Sequence, residues 1–154
     1  MRLRLIWVGK TRDEHLRELI DGYLKRIERF NKCDVIQVRE GTRGANERQV
    51  LASEERSLLE AVEADCRLIL LDVEGERWSS QELAKFVEDW QVRGSKDLAF
   101  LIGGHLGVSD AVRKRADQTW SLSRLTLTHE MARLLLVEQL YRAFTIIRGL
   151  PYQK

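Results

Sequence analysis

The sequence has few of the residues that bind metals or cross-link chains. Its 154 residues include two cysteines and three histidines. Cys33 and Cys66 each begin an apolar run, so we expect them to be reduced packing residues rather than a disulfide or a metal pair. The histidines do not have the spacing of zinc ligands. The sequence therefore predicts neither a disulfide framework nor a metal centre.

Long apolar runs and a strong charge of one sign are absent as well. No apolar stretch approaches the ~20 residues of a membrane span, and Arg2 and Arg4 interrupt the first one, which argues against a signal peptide. The formal net charge is +2, so no overall basic field draws the chain to nucleic acid, and RNA affinity must come from local patches. These features favour a soluble, cytoplasmic protein that does not bind membranes.

The common nucleotide-binding loops are missing too. The glycine-rich segment 103–107 has neither the G-x-G-x-x-G spacing of dinucleotide folds nor the Gly-Lys-Ser/Thr of a P-loop. Its glycines do allow the backbone to approach a flat ligand such as adenine closely. Leucines that could cover the faces of such a ligand are Leu71, Leu122, Leu125 and Leu127. On the residues alone, ordinary core packing is the simpler interpretation of these leucines.

Strand and helix patterns alternate along the chain, which is long enough for one globular domain, residues 1–154. Strands are predicted at 3–8, 34–38, 66–73 and 98–102, and helices at 13–30, 46–64, 110–116 and after a capping box at 79–82. This alternation predicts an α/β domain with a largely parallel sheet, whose strand order stays open. Ligands of such sheets lie outside the carboxyl ends of the strands. Turns are predicted at such ends in 71–75, where Gly75 turns the chain, in 102–104, and after an exposed strand at 120–123.

The C-terminal part of the chain has the strongest helical pattern. Gly149 is expected to end this helix, and Pro151 prevents a restart. Polar Glu138 and Arg142 lie close to its apolar face, four residues apart. On physical grounds alone, the simplest interpretation is a surface ion pair worth about 0.3–0.5 kcal/mol.

This C-terminal part, SLSRLTLTHEMARLLLVEQLYRAFTIIRGLPYQK, resembles the signature of the ribosomal RNA large subunit methyltransferase H family, a group of small SPOUT methyltransferases. LRLIWVGK near the start, LLDVEG in the middle and FLIGGHLG before the signature agree with it, so the resemblance covers the whole chain. Two positions depart from the family pattern. Thr128 stands where proline is common, and Gln153 stands where histidine is common.

The resemblance implies a C-terminal trefoil knot, in which the three turns at the strand ends come together around S-adenosylmethionine. The cofactor-binding residues that it implies are Leu71, Gly103, Leu122, Ser123, Arg124, Leu125, Thr126 and Leu127. This ligand is a nucleoside with a sulfonium group, so it needs no phosphate cradle. The missing P-loop is consistent with that.

The reaction that the resemblance implies is methylation of N3 of a pseudouridine in 23S rRNA of the assembled ribosome, by a homodimer. As N3 loses its proton, charge develops on the flanking carbonyl oxygens, and a fixed cation would stabilise it. Arg142 is our candidate for that cation, and Tyr152 could either stack on the base or pack as a tail aromatic. We expect Gln153 to orient the base while solvent takes the proton. His129, neutral at the positive end of a helix, is able to accept a proton or simply to cap and pack, and we expect the structural role.

Two other functions stay open. Gln153 is compatible with a catalytically silent RNA-binding or ribosome-assembly protein, and other members of the superfamily methylate a ribose 2′-hydroxyl. Basic residues that could meet RNA phosphates occur at Arg39 and Arg43 and in the run 113–115. The loop around Arg43 is either a solvated linker or a mobile arm that contacts phosphates.

Overall fold

A computed structural model describes residues 1–94 and 96–152, in which strands and helices alternate. The elements are β1 (Leu3–Val8), α1 (Glu14–Ile27), β2 (Cys33–Val38), α2 (Glu47–Ala61), β3 (Arg67–Arg77), α3 (Ser80–Arg93), β4 (Leu98–Ile102), α4 (Asp110–Arg115), β5 (Gln118–Ser121) and α5 (His129–Ile147). The predicted capping box at the start of α3 is present, with Ser79 accepting from the Glu82 backbone and Glu82 accepting from that of Ser79. The α/β prediction is confirmed.

The five strands form one sheet in the order β2-β1-β4-β3-β5, and every pairing is parallel. The central strand β4 is buried along its whole length. β1 shows how both faces are covered, because its side chains alternate between two apolar clusters. Leu5 and Trp7 pack with α1, α3 and α5, whereas Ile6 and Val8 pack on the side of α2 and α4. The predicted parallel sheet is therefore the middle of three layers.

The predicted turn at Gly75 is wrong. β3 continues through Gly75 to Arg77, with an irregularity in its pairing between Leu71 and Glu76. A Cβ atom on Gly75 would lie 2.7 Å from backbone atoms of Trp120 in β5. The glycine is needed here because two backbones pass very close to each other.

The strand expected at 120–123 lies two residues earlier in the sequence, and it is not exposed. β5 ends at Ser121, and Trp120 and Ser121 are 3% and 2% exposed. The Trp120 ring stacks on Trp78, with 5.3 Å between ring centroids, and meets Phe100 edge-on at 5.9 Å. These aromatic contacts explain the burial, and they join residues too distant in sequence for a local pattern to reveal.

Candidate functional site

A cavity of about 480 Å³ lies at the carboxyl edge of the sheet, beside residues 71–73 of β3 and the ends of β4 and β5. Its walls come from three segments, which include 71–73 after the regular part of β3, 102–108 after β4, and 122–129 between β5 and α5. Ala132 of α5 completes the lining. The three segments in which the sequence predicted turns at strand ends therefore share one cavity.

Seven of the eight residues predicted to bind the cofactor line this cavity: Leu71, Gly103, Leu122, Ser123, Leu125, Thr126 and Leu127. The eighth, Arg124, belongs to the same segment, but it is exposed and is not part of the lining. Leu125 is 73% exposed and Val73 is 45% exposed. Both side chains also line the cavity, so its mouth is apolar as well as its wall.

The turn after β4 is built so that only glycine fits at its first position. A Cβ atom on Gly103 would lie 2.7 Å from Cγ1 of Val108 and 2.9 Å from the carbonyl oxygen of Gly107. The Gly107 backbone N–H donates to the Gly104 carbonyl at 2.9 Å, which closes the turn. The resulting site combines turn backbone with leucine walls in a volume typical of small-molecule pockets. These residues fit an adenine-containing ligand, whose edge needs backbone groups and whose faces need apolar cover.

A second cavity, of about 450 Å³, lies beside the first, and Gly104, His105 and His129 line both. Its other polar lining is mainly charged and comes from the loops after β1 and β2, from α2 and from the start of α5. These residues are Arg12, Glu40, Arg43, Glu54 and Glu130. Arg12 pairs with Glu40 at 3.1 Å.

Glu54 is a buried carboxylate of the second cavity that the sequence analysis missed. It is 3% exposed, and its Oε2 accepts a hydrogen bond of 2.9 Å from the backbone N–H of Gly41. Its Oε1 is buried and has no hydrogen-bond partner among the described residues. The spacing Val50, Glu54, Leu58 was a usable signal, because it places a carboxylate on the buried stripe of α2.

Arg133 is the second buried charge that was missed. It is fully buried, and its Nη1 donates to Oγ1 of Thr11 at 3.0 Å while its Nη2 donates to the carbonyl oxygen of Val8. The guanidinium also lies 5.2 Å from the centroid of the Trp7 ring. Burial lowers the pKa of Arg133. Through these bonds α5 is tied to the end of β1, directly beside the second cavity.

His129 is the first residue of α5 and lies where the two cavities meet. Burial, with a further contribution from nearby Arg133, lowers the pKa of its imidazole. The helix is capped by Thr128, whose Oγ1 accepts from the Met131 backbone N–H at 3.2 Å. The imidazole is thus held neutral mainly by burial, and it is not the capping group.

Arg142 and Tyr152 lie in a polar cluster farther along α5. Arg142 Nε donates to Oε1 of Glu138 at 3.0 Å, and the Tyr152 hydroxyl donates to the same oxygen at 3.1 Å. The guanidinium sits 4.9 Å from the Tyr152 ring centroid, and the Tyr152 and Tyr23 hydroxyls are 3.2 Å apart. The side chains of Arg142 and Glu138 are 25% and 17% exposed. The expected ion pair between Glu138 and Arg142 is therefore present, and a tail tyrosine partly covers it.

The cluster and the cavities are separate within one chain. Arg142 follows His129 by thirteen positions on α5, which at 1.5 Å per residue is about 20 Å along the helix axis. Neither Arg142 nor Tyr152 lines either cavity. Gln153, the third predicted catalytic residue, lies outside the described residues.

No group of three or more histidine, cysteine or acidic side chains is placed to hold a metal ion within residues 1–94 and 96–152. Over the same residues, no helix is both long and apolar enough to cross a membrane.

Comparison with known proteins gives full-length matches. A family described as predicted SPOUT methyltransferase matches residues 1–153. The chain is 46% identical over 152 residues to a protein of Geotalea daltonii called ribosomal RNA large subunit methyltransferase H, with 99% of each chain covered. It is 44% identical to the protein of that name from Anaeromyxobacter sp. strain Fw109-5, with both chains covered completely. A putative member from Methanoregula boonei is 45% identical over 159 residues, again with complete coverage of both.

Proposed function

The chain belongs to the SPOUT methyltransferases and, among them, to the ribosomal RNA large subunit methyltransferase H family, and from this premise we propose that it methylates N3 of a pseudouridine in 23S rRNA of the assembled ribosome. S-adenosylmethionine is the proposed methyl donor. The observation that carries the proposal is the cavity at the carboxyl edge of the sheet, because the three segments that form it are the segments with family motifs.

When bound, S-adenosylmethionine supplies an electrophilic methyl group. In our proposal it is held by Leu71, Gly103 and the segment 122–127, with Arg124 contributing from the exposed side of that segment. Leu122 and Leu127 give the adenine faces apolar cover, and the backbone of the Gly103 turn offers hydrogen bonds to its edge. Thr126 and Ser123 add hydroxyl groups for the polar parts of the ligand.

Arg142 is the proposed cation for the charge that develops on the target base. A guanidinium stays protonated at every physiological pH, and the hydrogen bond to Glu138 raises the pKa of Arg142 further. Tyr152 packs against the guanidinium and fixes its direction. Gln153 is proposed to orient the base, since an amide can donate and accept hydrogen bonds without titrating.

The separation of about 20 Å between the cavity and Arg142 supports a homodimer with shared active sites. One chain then supplies the cofactor cavity, and the α5 cluster and tail of the other supply Arg142 and Tyr152. The exposed leucine and valine at the cavity mouth, Leu125 and Val73, give such a partner apolar surface to cover. The interface would complete the site as well as stabilise the pair.

The proposal includes one domain over residues 1–154 with a C-terminal trefoil knot, and a place of action where ribosomes are, the cytoplasm. The knot can be tested by stretching the denatured chain from both ends. A knotted chain stays shorter than the roughly 3.3–3.6 Å per residue of an extended chain, whereas an unknotted chain reaches it.

Radiolabelled methyl transfer separates this enzyme from a silent RNA-binding protein. The wild-type chain is incubated with labelled S-adenosylmethionine and either assembled ribosomes or naked 23S rRNA. We expect faster labelling of ribosomes, because a net charge of +2 offers few phosphate contacts and the shape of the particle must supplement them. The absence of label in both would favour the silent protein, and faster labelling of naked RNA would contradict the ribosomal substrate.

A further inference from the structure

The wall shared by the two cavities places any two ligands next to each other. Gly104, His105 and His129 line both cavities, so a group bound in one lies beside a group bound in the other. The function proposed above uses only the first cavity. A methyl transfer needs two reactants in contact, and the second cavity is adjacent to the first.

The second cavity combines cationic and carboxylate side chains. Arg43 offers a cation for a phosphate from the loop after β2, and Arg12, from the loop after β1, pairs with Glu40 at 3.1 Å. Glu54 is its deeply buried carboxylate, and the Oε1 atom has no partner among the described residues. A carboxylate accepts hydrogen bonds from ring N–H groups, of which pseudouridine has two, at N1 and N3. A volume of about 450 Å³ is sufficient for one nucleotide.

His129 lies at the wall shared by the two cavities, and its imidazole is not used in the hydrogen bonds around it. The hydrogen bonds around it are made by its neighbours. Thr128 caps the helix, Glu130 accepts from the backbone N–H groups of Arg12 and Asp13, and Arg133 donates to Thr11 and Val8. Neither ring nitrogen of His129 makes a hydrogen bond within the described part of the chain.

The charges that face His129 favour a neutral ring. Burial is the largest influence and lowers its pKa, and Arg133 on the next turn of α5 lowers it further. Glu130, on α5, and Glu40, after β2, act in the opposite direction, and His105, after β4, adds a small lowering effect. Because the net pKa lies below the ordinary value of about 6.5, the ring is neutral at physiological pH and can accept a proton.

We propose that the second cavity takes the target base and that His129 accepts the proton from its N3 atom. The proton moves from N3 to a ring nitrogen of His129, and the N3 electron pair forms the bond to the methyl carbon. The carbon–sulfur bond breaks, and its electron pair stays on sulfur as a neutral thioether. The imidazolium then releases its proton to solvent. This inference rests on the proposed function, and it makes a histidine at position 153 unnecessary.

Three matched variants test the assignment, since the chain has three histidines. His129→Gln should slow single-turnover methyl transfer to ribosomes by about 10²–10⁴-fold, the usual contribution of a general base. It should also abolish the rise in rate as the pH increases through the pKa of the wild-type imidazole. His15→Gln, on the exposed side of α1, should keep both the rate and the rise, and His105→Gln, which lines both cavities, should keep the rise. A normal rate or profile for His129→Gln, or loss of the rise in His105→Gln instead, would overturn the inference.

A second readout does not depend on turnover. In the wild-type protein, the imidazole resonance that disappears in His129→Gln should titrate below the ordinary histidine value of about 6.5 in an NMR pH series. A His129 resonance that titrates above that value would contradict the proposed role. If the wild-type chain transfers no methyl group at all, the proposed function fails and this inference with it. If it transfers normally but His129→Gln does too, only this inference fails.

Discussion

Single buried charges determine how the end of the sheet is organised. Arg133 fixes the start of α5 to the end of β1, and Glu54 holds the loop after β2 through the Gly41 backbone. Neither charge has a salt-bridge partner within 4 Å in the described part of the chain. A buried charge that is held by neutral groups is costly, so both positions point to a requirement beyond packing.

Gly103 gives the most direct test of the cofactor cavity. Replacement by alanine places a Cβ atom within 3 Å of Val108 and Gly107, which forces the turn to move. We expect Gly103→Ala to lose at least about tenfold in affinity for S-adenosylmethionine, measured by calorimetry, since a displacement of that size costs over about 1.4 kcal/mol. Gly22→Ala is the control, because its Cβ atom meets nothing within 4 Å. Equal affinity in the two variants would remove Gly103 from the site.

The departure from the family at Gln153 leads to a second prediction. If His129 or solvent takes the proton, a histidine at position 153 only replaces one hydrogen-bonding group by another. We therefore expect Gln153→His to change the single-turnover rate by less than about tenfold between pH 6 and 9. A hundredfold gain, with a new titration near the ordinary histidine pKa of about 6.5, would show that this chain is a weakened enzyme.

Among the elements, α5 connects the separate parts of the site. Its first turn lines both cavities, and Glu138 and Arg142 of the cluster with Tyr152 lie about 2.5 and 3.6 turns later. It packs against α1 and α3 and carries Leu136, Val137 and Leu140 into the core. A rigid helix therefore fixes the distance between the cavity and Arg142, so that no bending within one chain brings them together.

The cap of α5 is expected to matter for stability. Thr128→Ala removes the oxygen that accepts from Met131, which should lower the free energy of unfolding by about 1 kcal/mol. Thr128→Ser keeps the oxygen and should stay close to wild type. Urea unfolding at one fixed protein concentration measures both, since a dimer gains stability with concentration. An equal loss in both variants would mean that the methyl group, not the cap, stabilises the helix start.

The elements were largely predictable from the sequence, because each depends on local periodicity. The buried strand at 98–102 and the capping box at Ser79 were found where the structure has them. The irregularity in β3 was not predicted, since it depends on the close approach of Gly75 to residues about 45 positions away. The cavity lining followed from the family resemblance, whereas Glu54 and Arg133 were overlooked although each sits on an apolar stripe of its helix. Patterns of apolar residues indicate helices and strands, and a polar residue within such a pattern, such as Glu54 or Arg133, indicates a candidate functional site.

At the scale of the whole molecule, our proposal requires two chains to complete one active site. Arg142→Ala alone should lose about 10²–10³ in turnover, and Gly103→Ala should lose cofactor binding. When the two variants are mixed and allowed to exchange subunits, a mixed dimer has one intact site, formed by the cavity of one chain and Arg142 of the other. Random pairing then restores about a quarter of the wild-type sites. No recovery in verified mixed dimers, or a monomer mass by light scattering at micromolar concentration, would contradict shared sites.

The central claim is the position of the methyl group, and mass spectrometry of digested rRNA measures it directly. Ribosomes that lack the modification are incubated with the wild-type chain and S-adenosylmethionine, and the 23S rRNA is then digested to nucleosides. We predict a new nucleoside, pseudouridine with one methyl group on N3 of its base. A methyl group on a ribose 2′-hydroxyl, or no new methylated nucleoside, would contradict the account.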